Sequence, residues 1–399
     1  MGQIKIKDNI DYIIFFCALA FTTFEYFFRE ASLFNLLVLF GIVLFILKSH
    51  KFCELNKGLF LILFFGIIYF LQGVYNGSII TAINRMYPIV GSFCIATIIC
   101  KRFEKVFINT IAFIATYSII IYLLCFIPSI NNFLMYNLAS KFTSLNVESA
   151  VFEGGGINFI IYNFQTDLYN EVIGFSRNCG PFWEPGMFAV FLNIALFFNI
   201  YLGENKQYLN ILFLVNLLTT FSTGGYIAAM FIGLIYVFTK NKSLFLKLLS
   251  LIVLVSISVY IMSLEYIGDK LIMQMETADM GGDESRFSAI LTQIEMIKAS
   301  PFIGGESIEE YAKTTKTLAS GFLMPLVSLG IPFGLLFYVI MYKSYTKLVE
   351  SLNCPQLYGL FLFSLVLILS ISQTILLQRL FIIIIFICLI KPRVHYGKV

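Results

Sequence analysis

The sequence predicts an all-α polytopic membrane protein with about twelve transmembrane helices and two long outer-face loops that contain short helices. Three observations predict this fold class. Hydrophobic residues make up 59% of the 399 residues and charged residues only 13%, whereas roughly a quarter of the residues in soluble domains are charged. Apolar runs long enough to cross a bilayer recur along residues 1–399, which we interpret as a single membrane domain. The basic residues are distributed unevenly among the connections between these runs.

The apolar runs define the individual spans, because a spanning helix needs about 20 apolar residues, or about 17 if it is short. The run at 208–239 is divided by Ser222-Thr-Gly-Gly, and the run at 356–390 is divided by polar residues between Ser372 and Arg379. The predicted spans are 11–28, 31–47, 58–75, 81–100, 106–127, 186–202, 208–222, 224–239, 244–264, 319–342, 356–373 and 375–390.

Lysine and arginine set the predicted orientation, because they favour the cytoplasmic side. With the N-terminus inside, the short outer connections carry only Arg29, Arg85 and Arg379. Both termini are then cytoplasmic, and the long loops 128–185 and 265–318 lie on the outer face. The predicted inner segments carry Lys5, Lys7, Lys48, Lys51, Lys57, Lys101, Arg102, Lys105, Lys206, Lys240, Lys242, Lys247, Lys343, Lys347, Lys391, Arg393 and Lys398.

Several classes of function are disfavoured. The inner connections are too short to form a nucleotide-binding domain, and no phosphate-binding glycine-rich loop follows a strand. The net charge of +4 is spread over short loops, so no nucleic-acid partner is expected. No spacing of His, Cys and carboxylate residues resembles a metal site. Cys179 is the one cysteine in a predicted outer loop, so no intrachain disulfide is expected there.

The first outer loop ends with Arg177, Trp183 and Glu184, directly before a predicted helix. Pro185 suits the first helical position, which needs no backbone donor, and Glu184 then lies at the positive end of the helix dipole. Glu184 is a candidate for orienting Arg177 or accepting a proton from a hydroxyl. The alternative is a carboxylate that only complements the dipole. Trp183 is interpreted as an interfacial anchor, with a sugar platform as the alternative.

The second outer loop contains a predicted short amphipathic helix that ends before Pro301. Asp283 is the expected N-cap, and Arg286 occupies the first turn, where a cation opposes the dipole and backbone N–H groups collect anions. Arg286 is therefore a candidate anion ligand, and a local pair with Asp283 or Glu284 is the alternative. The pattern places Phe287, Ile290, Leu291, Ile294 and Ile297 on one stripe, with Ser288, Gln293, Glu295 and Lys298 facing away.

Arg85 lies at the outer start of a predicted span. An arginine at mid-depth in a membrane costs about 2.5–3.5 kcal/mol on insertion scales, so it usually has a partner. Arg85 is a third candidate for binding an anionic substrate. The alternative is a side chain that extends to the lipid headgroups.

These motifs resemble those of bacterial O-antigen polymerases (Wzy) and the related O-antigen ligases (WaaL). The resemblance covers most of the chain as topology. It is sharpest from Arg177 to Phe-Trp-Glu184-Pro-Gly, at Phe-Ser222-Thr-Gly-Gly-Tyr, and from Asp283-Glu-Ser-Arg286-Phe to Pro301-Phe-Ile-Gly-Gly305. It implies that Arg177 and Arg286 engage the pyrophosphate of lipid-linked saccharides. Ligases usually carry a histidine late in the second loop, where this chain reads Leu-Ala-Ser320-Gly-Phe, so polymerase is favoured over ligase.

The resemblance also implies a reaction and its surroundings. The enzyme is expected to polymerise undecaprenyl-pyrophosphate-linked repeat units on the periplasmic face of the bacterial inner membrane. Glu184 is the first candidate base and Asp283 the second, and no nucleotide, metal or redox cofactor is expected. Membrane lipids surround the spans, and a chain-length regulator is a further candidate partner. A lipid-linked oligosaccharide flippase is the competing class, but transporters usually place ionisable groups near mid-membrane.

Overall fold

The computed structural model describes residues 2–28, 36–43, 55–75, 79–99, 103–142, 157–164, 176–240, 286–305 and 320–390, and positions 245, 247, 248, 252 and 256. Most of the predicted span 244–264 lies outside the described residues, and so does the predicted N-cap Asp283. The helices, in chain order, are α1 Gly2–Thr23, α2 Glu25–Phe28, α3 Leu55–Tyr75, α4 Ile79–Ile99, α5 Phe103–Leu124, α6 Pro128–Asn132, α7 Pro185–Phe197, α8 Gln207–Thr220, α9 Thr223–Lys240, α10 Arg286–Ala299, α11 Met324–Leu329, α12 Ile331–Ser351, α13 Leu357–Ser372 and α14 Arg379–Ile390.

The described chain is mainly helical, as the composition predicts. Within it, three stretches are long and apolar enough to cross a membrane: Gly58–Tyr75, Phe103–Leu124 and Pro185–Leu202. Several shorter helices are also apolar. Large apolar side chains point outward, with Leu63 63% and Phe113 62% exposed, which suits a surface that faces lipid rather than water. The count of twelve spans and the orientation stay predictions.

The predicted span 319–342 is divided in the structure. The sequence gives a continuous apolar run at 319–342, but helix α11 ends at Leu329 and helix α12 begins at Ile331. Gly330 between them has a φ of 77°, a left-handed conformation that interrupts a right-handed helix at little cost only for glycine. Hydropathy does not detect such a break, because the residues around it, apart from Ser328, are apolar.

The chain forms two compact units, and each contains one helix that is buried on nearly all sides. The first unit comprises residues Met1–Ala18, Phe34–Phe103 and Met273–Val399. At its centre, α14 packs against α3, α4 and α12, and its side chains from Leu380 to Cys388 are all buried. A helix that is apolar all round can be stable only where other helices surround it or where it faces lipid; here helices surround it.

The second unit comprises Leu19–Leu33 and Glu104–Ile272. Helix α7, which continues as a π-helical segment over Phe198–Leu202, is its buried centre, with every residue from Pro185 to Phe197 inside. It packs against α8 and α9. Phe107 of α5 contacts the rings of Phe191 and Phe198, with centroid distances of 6.4 and 5.1 Å.

The first long loop contains a β-hairpin that the sequence analysis did not predict. Strands β1 (Ile157–Phe159) and β2 (Tyr162–Phe164) are antiparallel, with Asn158 opposite Asn163. Ile157, Tyr162 and Phe164 form a small apolar cluster, and burial raises the pKa of Tyr162 well above its ordinary value. The N–H of Asn163 donates to the Gly180 carbonyl at 2.7 Å and Phe164 pairs with Asn178, so the hairpin lies against the segment that follows Arg177.

The predicted outer cysteine is not a usable marker of sidedness. Cys179 lies in the first loop as expected, but its side chain is fully buried. A reagent therefore cannot reach this thiol in the folded protein, whichever side the loop occupies. Exposed positions at the hairpin turn and in the connection between α7 and α8 are better markers.

Sidedness is tested with single cysteines in a background from which the eight native cysteines are removed. Ile161, at the hairpin turn, is 40% exposed, and Glu204 is exposed between α7 and α8. We expect a membrane-impermeant maleimide to label Ile161→Cys in intact cells and Glu204→Cys only after permeabilisation, because lysines favour the cytoplasmic side. The reverse pattern would invert the predicted orientation.

Candidate functional site

Arg85 has a hydrogen-bonded partner in the first unit. Its Nη1 atom donates to Oε1 of Gln72, at 3.0 Å, so the neighbouring helix α3 supplies a hydrogen-bond acceptor to this cation in the second turn of α4. The Gln72 side chain is almost fully buried, and its Nε2 atom donates to the carbonyls of Ile303 and Ser328, at 2.8 and 2.7 Å. Gln72 thus joins Arg85 to the second long loop and to α11.

Close backbone packing holds the segment 301–305 in place. The N–H of Gly305 donates to the Val327 carbonyl at 3.0 Å, and the N–H of Ile331 donates to the Pro301 carbonyl at 2.7 Å. A Cβ on Gly304 would lie 2.4 Å from the Gly330 nitrogen. This close approach requires glycine at positions 304 and 330, which explains the Ile-Gly-Gly and Leu-Gly-Ile sequences.

Helix α10 is described from Arg286, a residue that the sequence analysis placed in its first turn, but its orientation differs from the predicted stripe. The buried side chains are those of Ala289, Gln293 and Met296, whereas Leu291 and Ile294 are 48% and 37% exposed. The interpretation of Gln293 as a residue that faces away is therefore wrong. Helix α10 packs against α11, and Gln293 donates to the Ser320 carbonyl, so tertiary contacts rather than the apolar stripe fix the buried face.

Gln293 belongs to a group of buried polar side chains that the sequence analysis did not identify. Its Nε2 atom donates to the Ser320 carbonyl, and the N–H of the adjacent Gly321 donates to the Ser370 carbonyl at 2.8 Å. A Cβ on Gly321 would lie 2.2 Å from the Gln373 carbonyl oxygen, so these segments are in direct contact. The Oε1 of Gln293, the Oγ of Ser320 and the Nε2 of Gln373 are buried without a hydrogen bond. Buried polar atoms of this kind usually bind water or a ligand.

Arg177, in the second unit, has a structural role that the sequence did not indicate. Its side chain is only 7% exposed, and its Nε and Nη2 atoms donate to the carbonyls of Thr220 and Phe221, at 3.1 and 3.2 Å. The last carbonyls of a helix have no intrahelical partner, so the guanidinium completes the C-terminus of α8. Phe221, with a φ of 47°, then separates α8 from α9 at the predicted Ser222-Thr-Gly-Gly interruption.

Glu184 lies at the helix start that the sequence predicts. It is the N-cap of α7, with an extended backbone and with Pro185 in the first turn, and its side chain makes no capping hydrogen bond. The carboxylate is partly exposed. Asn163 of the hairpin donates to the carbonyls of Phe182 and Trp183, at 2.9 and 3.1 Å, and so fixes the chain immediately before it.

The structure therefore groups the candidate residues by unit. Arg85 is joined through Gln72 to the second loop, whose helix α10 starts at Arg286. Arg177 and Glu184 end the first loop in the second unit. Asp283 lies outside the described residues. Within the ranges that the structure describes, no three His, Cys, Asp or Glu side chains form a group that could hold a metal ion.

Comparison with known proteins adds no assignment. No protein-family model matches the chain, and no curated protein matches it.

Substituting Gln72 tests the connection between Arg85 and the second loop. We expect Gln72→Leu to lower the thermal midpoint, because an unsatisfied buried polar group costs about 1–3 kcal/mol. Hydrogen exchange at Gly305 should accelerate, since its amide bonds to the segment that Gln72 anchors. Gln207→Leu, at an exposed position at the start of α8, is the control. Equal midpoints for the two variants, with unchanged exchange at Gly305, would contradict the role of Gln72.

Proposed function

We propose that this protein polymerises undecaprenyl-pyrophosphate-linked oligosaccharide repeat units into O-antigen or a related surface polysaccharide. The reaction is a glycosyl transfer on the periplasmic face of the bacterial inner membrane. One observation carries the proposal: Arg85, in the second turn of α4, is linked by Gln72 to the second loop, which carries Arg286 at the described start of helix α10. The resemblance gives Arg286 a role in binding the lipid pyrophosphate, and Arg85 is a further candidate cation for the same anion.

The proposed chemistry needs charge neutralisation more than it needs a strong base. A hydroxyl oxygen of the acceptor forms a bond to the anomeric carbon of the donor glycan, and the bond between that carbon and the pyrophosphate oxygen breaks. The pyrophosphate leaves on its lipid with the bonding electron pair, while the hydroxyl proton passes to a base. Arginine can bind two phosphate oxygens at once and so stabilises the developing charge.

Two carboxylates are candidates for the base. Glu184 is the first candidate, because its carboxylate is partly exposed and makes no capping hydrogen bond. A carboxylate that served only to complete the helix would be expected to bond the free backbone N–H groups. Asp283 is the second candidate, on the resemblance alone.

The arginines are tested by chain elongation with purified protein and lipid-linked repeat units. We expect Arg85→Ala and Arg286→Ala each to slow elongation about 10²–10³-fold, the usual effect of losing one preorganised charge-stabilising donor. Lysine should restore activity only partly, because it cannot form the two-pronged contact. Lys343→Ala, at an exposed cation on α12, is the control. Near-normal ladders from both alanine variants, at matched protein levels, would remove the support for a pyrophosphate site.

Arg177→Ala needs a separate control, because the side chain completes helix α8. We expect this variant to lose thermal stability as well as activity, so its elongation rate is interpreted only at temperatures where it is folded. Glu184→Gln should reduce elongation strongly if Glu184 is the base. A mild effect would assign that role elsewhere, with Asp283→Asn as the next variant.

Deletion in cells distinguishes a polymerase from a ligase. We expect cells without this protein still to cap their surface acceptor with single repeat units, while long chains disappear, since the chain lacks the late-loop histidine of ligases. Gel analysis of surface glycolipids gives the readout. Loss of even the single-unit product, with lipid-linked polymer accumulating, would support ligase activity instead.

A further inference from the structure

A cavity of about 320 Å³ lies in the second unit, away from the loops discussed above. It is formed by the first turns of α5, the π-helical end of α7 and the connection to α8. Its size falls within the range of about 300–1,000 Å³ that small-molecule sites occupy. The lining residues are Glu104, Lys105, Ile108, Asn109, Asn199, Leu202, Gly203, Glu204, Lys206 and Leu209.

Asn199 lines this cavity and holds the neighbouring turn in place. Its Nδ2 atom donates to the Lys206 carbonyl and to Oδ1 of Asn210, at 2.9 and 2.7 Å, and its backbone carbonyl accepts from the N–H of Asn205 at 2.9 Å. Asn205 has a φ of 49°. The turn is therefore tied closely to the π-helical segment, a type of helix distortion that is frequent at functional sites.

The charged lining residues comprise two carboxylates and two ammonium groups. Lys206 Nζ lies 2.8 Å from Glu204 Oε2. The hydrogen bond from Lys206, followed by the attraction of Lys206 and a smaller attraction of Lys105, lowers the pKa of Glu204. Glu104, in the first turn of α5, is partly buried. The formal charges in the lining cancel, so the site suits a zwitterion better than a simple anion.

We propose that this cavity binds a phosphoethanolamine headgroup carried by a membrane lipid. Lys105 and Lys206 take the phosphate, because their ammonium groups supply compact charge and several donors. Glu104 and Glu204 accept hydrogen bonds from the ligand ammonium, which carries three N–H groups. Asn109 supplies a neutral polar contact, and the buried side chains of Ile108, Leu202 and Leu209 form an apolar wall for the glycerol region.

The position of the cavity favours a lipid over a soluble molecule. It lies at the end of the α7 segment opposite Glu184, and the eighteen residues between them, Pro185–Leu202, extend roughly 27 Å at 1.5 Å per residue. This length is close to the hydrocarbon thickness of about 30 Å. The cavity is therefore at the level of lipid headgroups, on the predicted inner face.

Native mass spectrometry of the full chain in detergent measures the binding of phosphatidylethanolamine, phosphatidylglycerol and phosphatidylcholine. We expect phosphatidylethanolamine to bind about tenfold more tightly than the other two, the difference expected from one charged hydrogen bond. Phosphatidylcholine has no N–H for the carboxylates, and phosphatidylglycerol has no cation. Soluble O-phosphoethanolamine should bind much more weakly, because it lacks the glycerol that contacts the apolar wall.

Two double variants test the proposed ligand, one by removing the two lysines and the other by neutralising the two glutamates. Lys105→Ala with Lys206→Ala should lower phosphatidylethanolamine affinity about tenfold. Glu104→Gln with Glu204→Gln should lower it similarly and raise phosphatidylglycerol affinity, which reverses the preference. Exposed residues outside the cavity provide the controls, Lys343→Ala and Glu295→Gln, and both should bind like the unmodified protein.

Three results would overturn the proposal. The first is equal binding of all three lipids to the unmodified protein. The second is a preference that both double variants leave unchanged while circular dichroism shows them folded. The third is binding of O-phosphoethanolamine as tight as that of the lipid, which would indicate a soluble ligand. None of these results depends on the elongation assay, so the two proposals fail or succeed separately.

Discussion

Polar side chains inside apolar helices must find hydrogen-bond partners within the protein, because hydrocarbon offers none. This constraint explains the best-defined connections in the structure. Gln72 bonds two carbonyls that lie more than two hundred residues away in the sequence. In the second unit, Asn193 of the buried helix α7 donates to the Gly225 carbonyl at 3.0 Å, and Arg177 completes the end of α8. Each isolated polar group therefore fixes one helix or loop against another.

The same constraint gives the second loop its place. Segment 301–305 is held by backbone hydrogen bonds to α11 and α12, and Gln72 bonds both sides of that junction. Helix α10 packs on α11 and turns Gln293 inward. Arg85 shares Gln72 with this assembly, so the second turn of α4 and the second loop are parts of one hydrogen-bonded structure. An anion that binds Arg85 would therefore act directly on the loop that carries Arg286.

Arg85 and Arg177 have different hydrogen-bond partners, and their roles differ accordingly. Arg85 donates to the neutral side-chain amide of Gln72. Arg177 is bonded to the carbonyls at a helix end, where a cation also interacts favourably with the helix dipole. Part of the effect of removing Arg177 is therefore structural, and stability must be measured beside activity to isolate any catalytic part.

The sequence by itself determined the helical class, the position of most apolar helices, the break at Ser222 and the helix start at Pro185, because these depend on composition and local chemistry. It did not determine the division at Gly330, the hairpin at 157–164, the buried face of α10 or the role of Gln72. Those features depend on partners far away along the chain. In surroundings of lipid, an apolar side chain is stable facing either inward or outward, so hydropathy does not select the buried face. Only the tertiary structure decides it, through the few polar groups that must be satisfied inside.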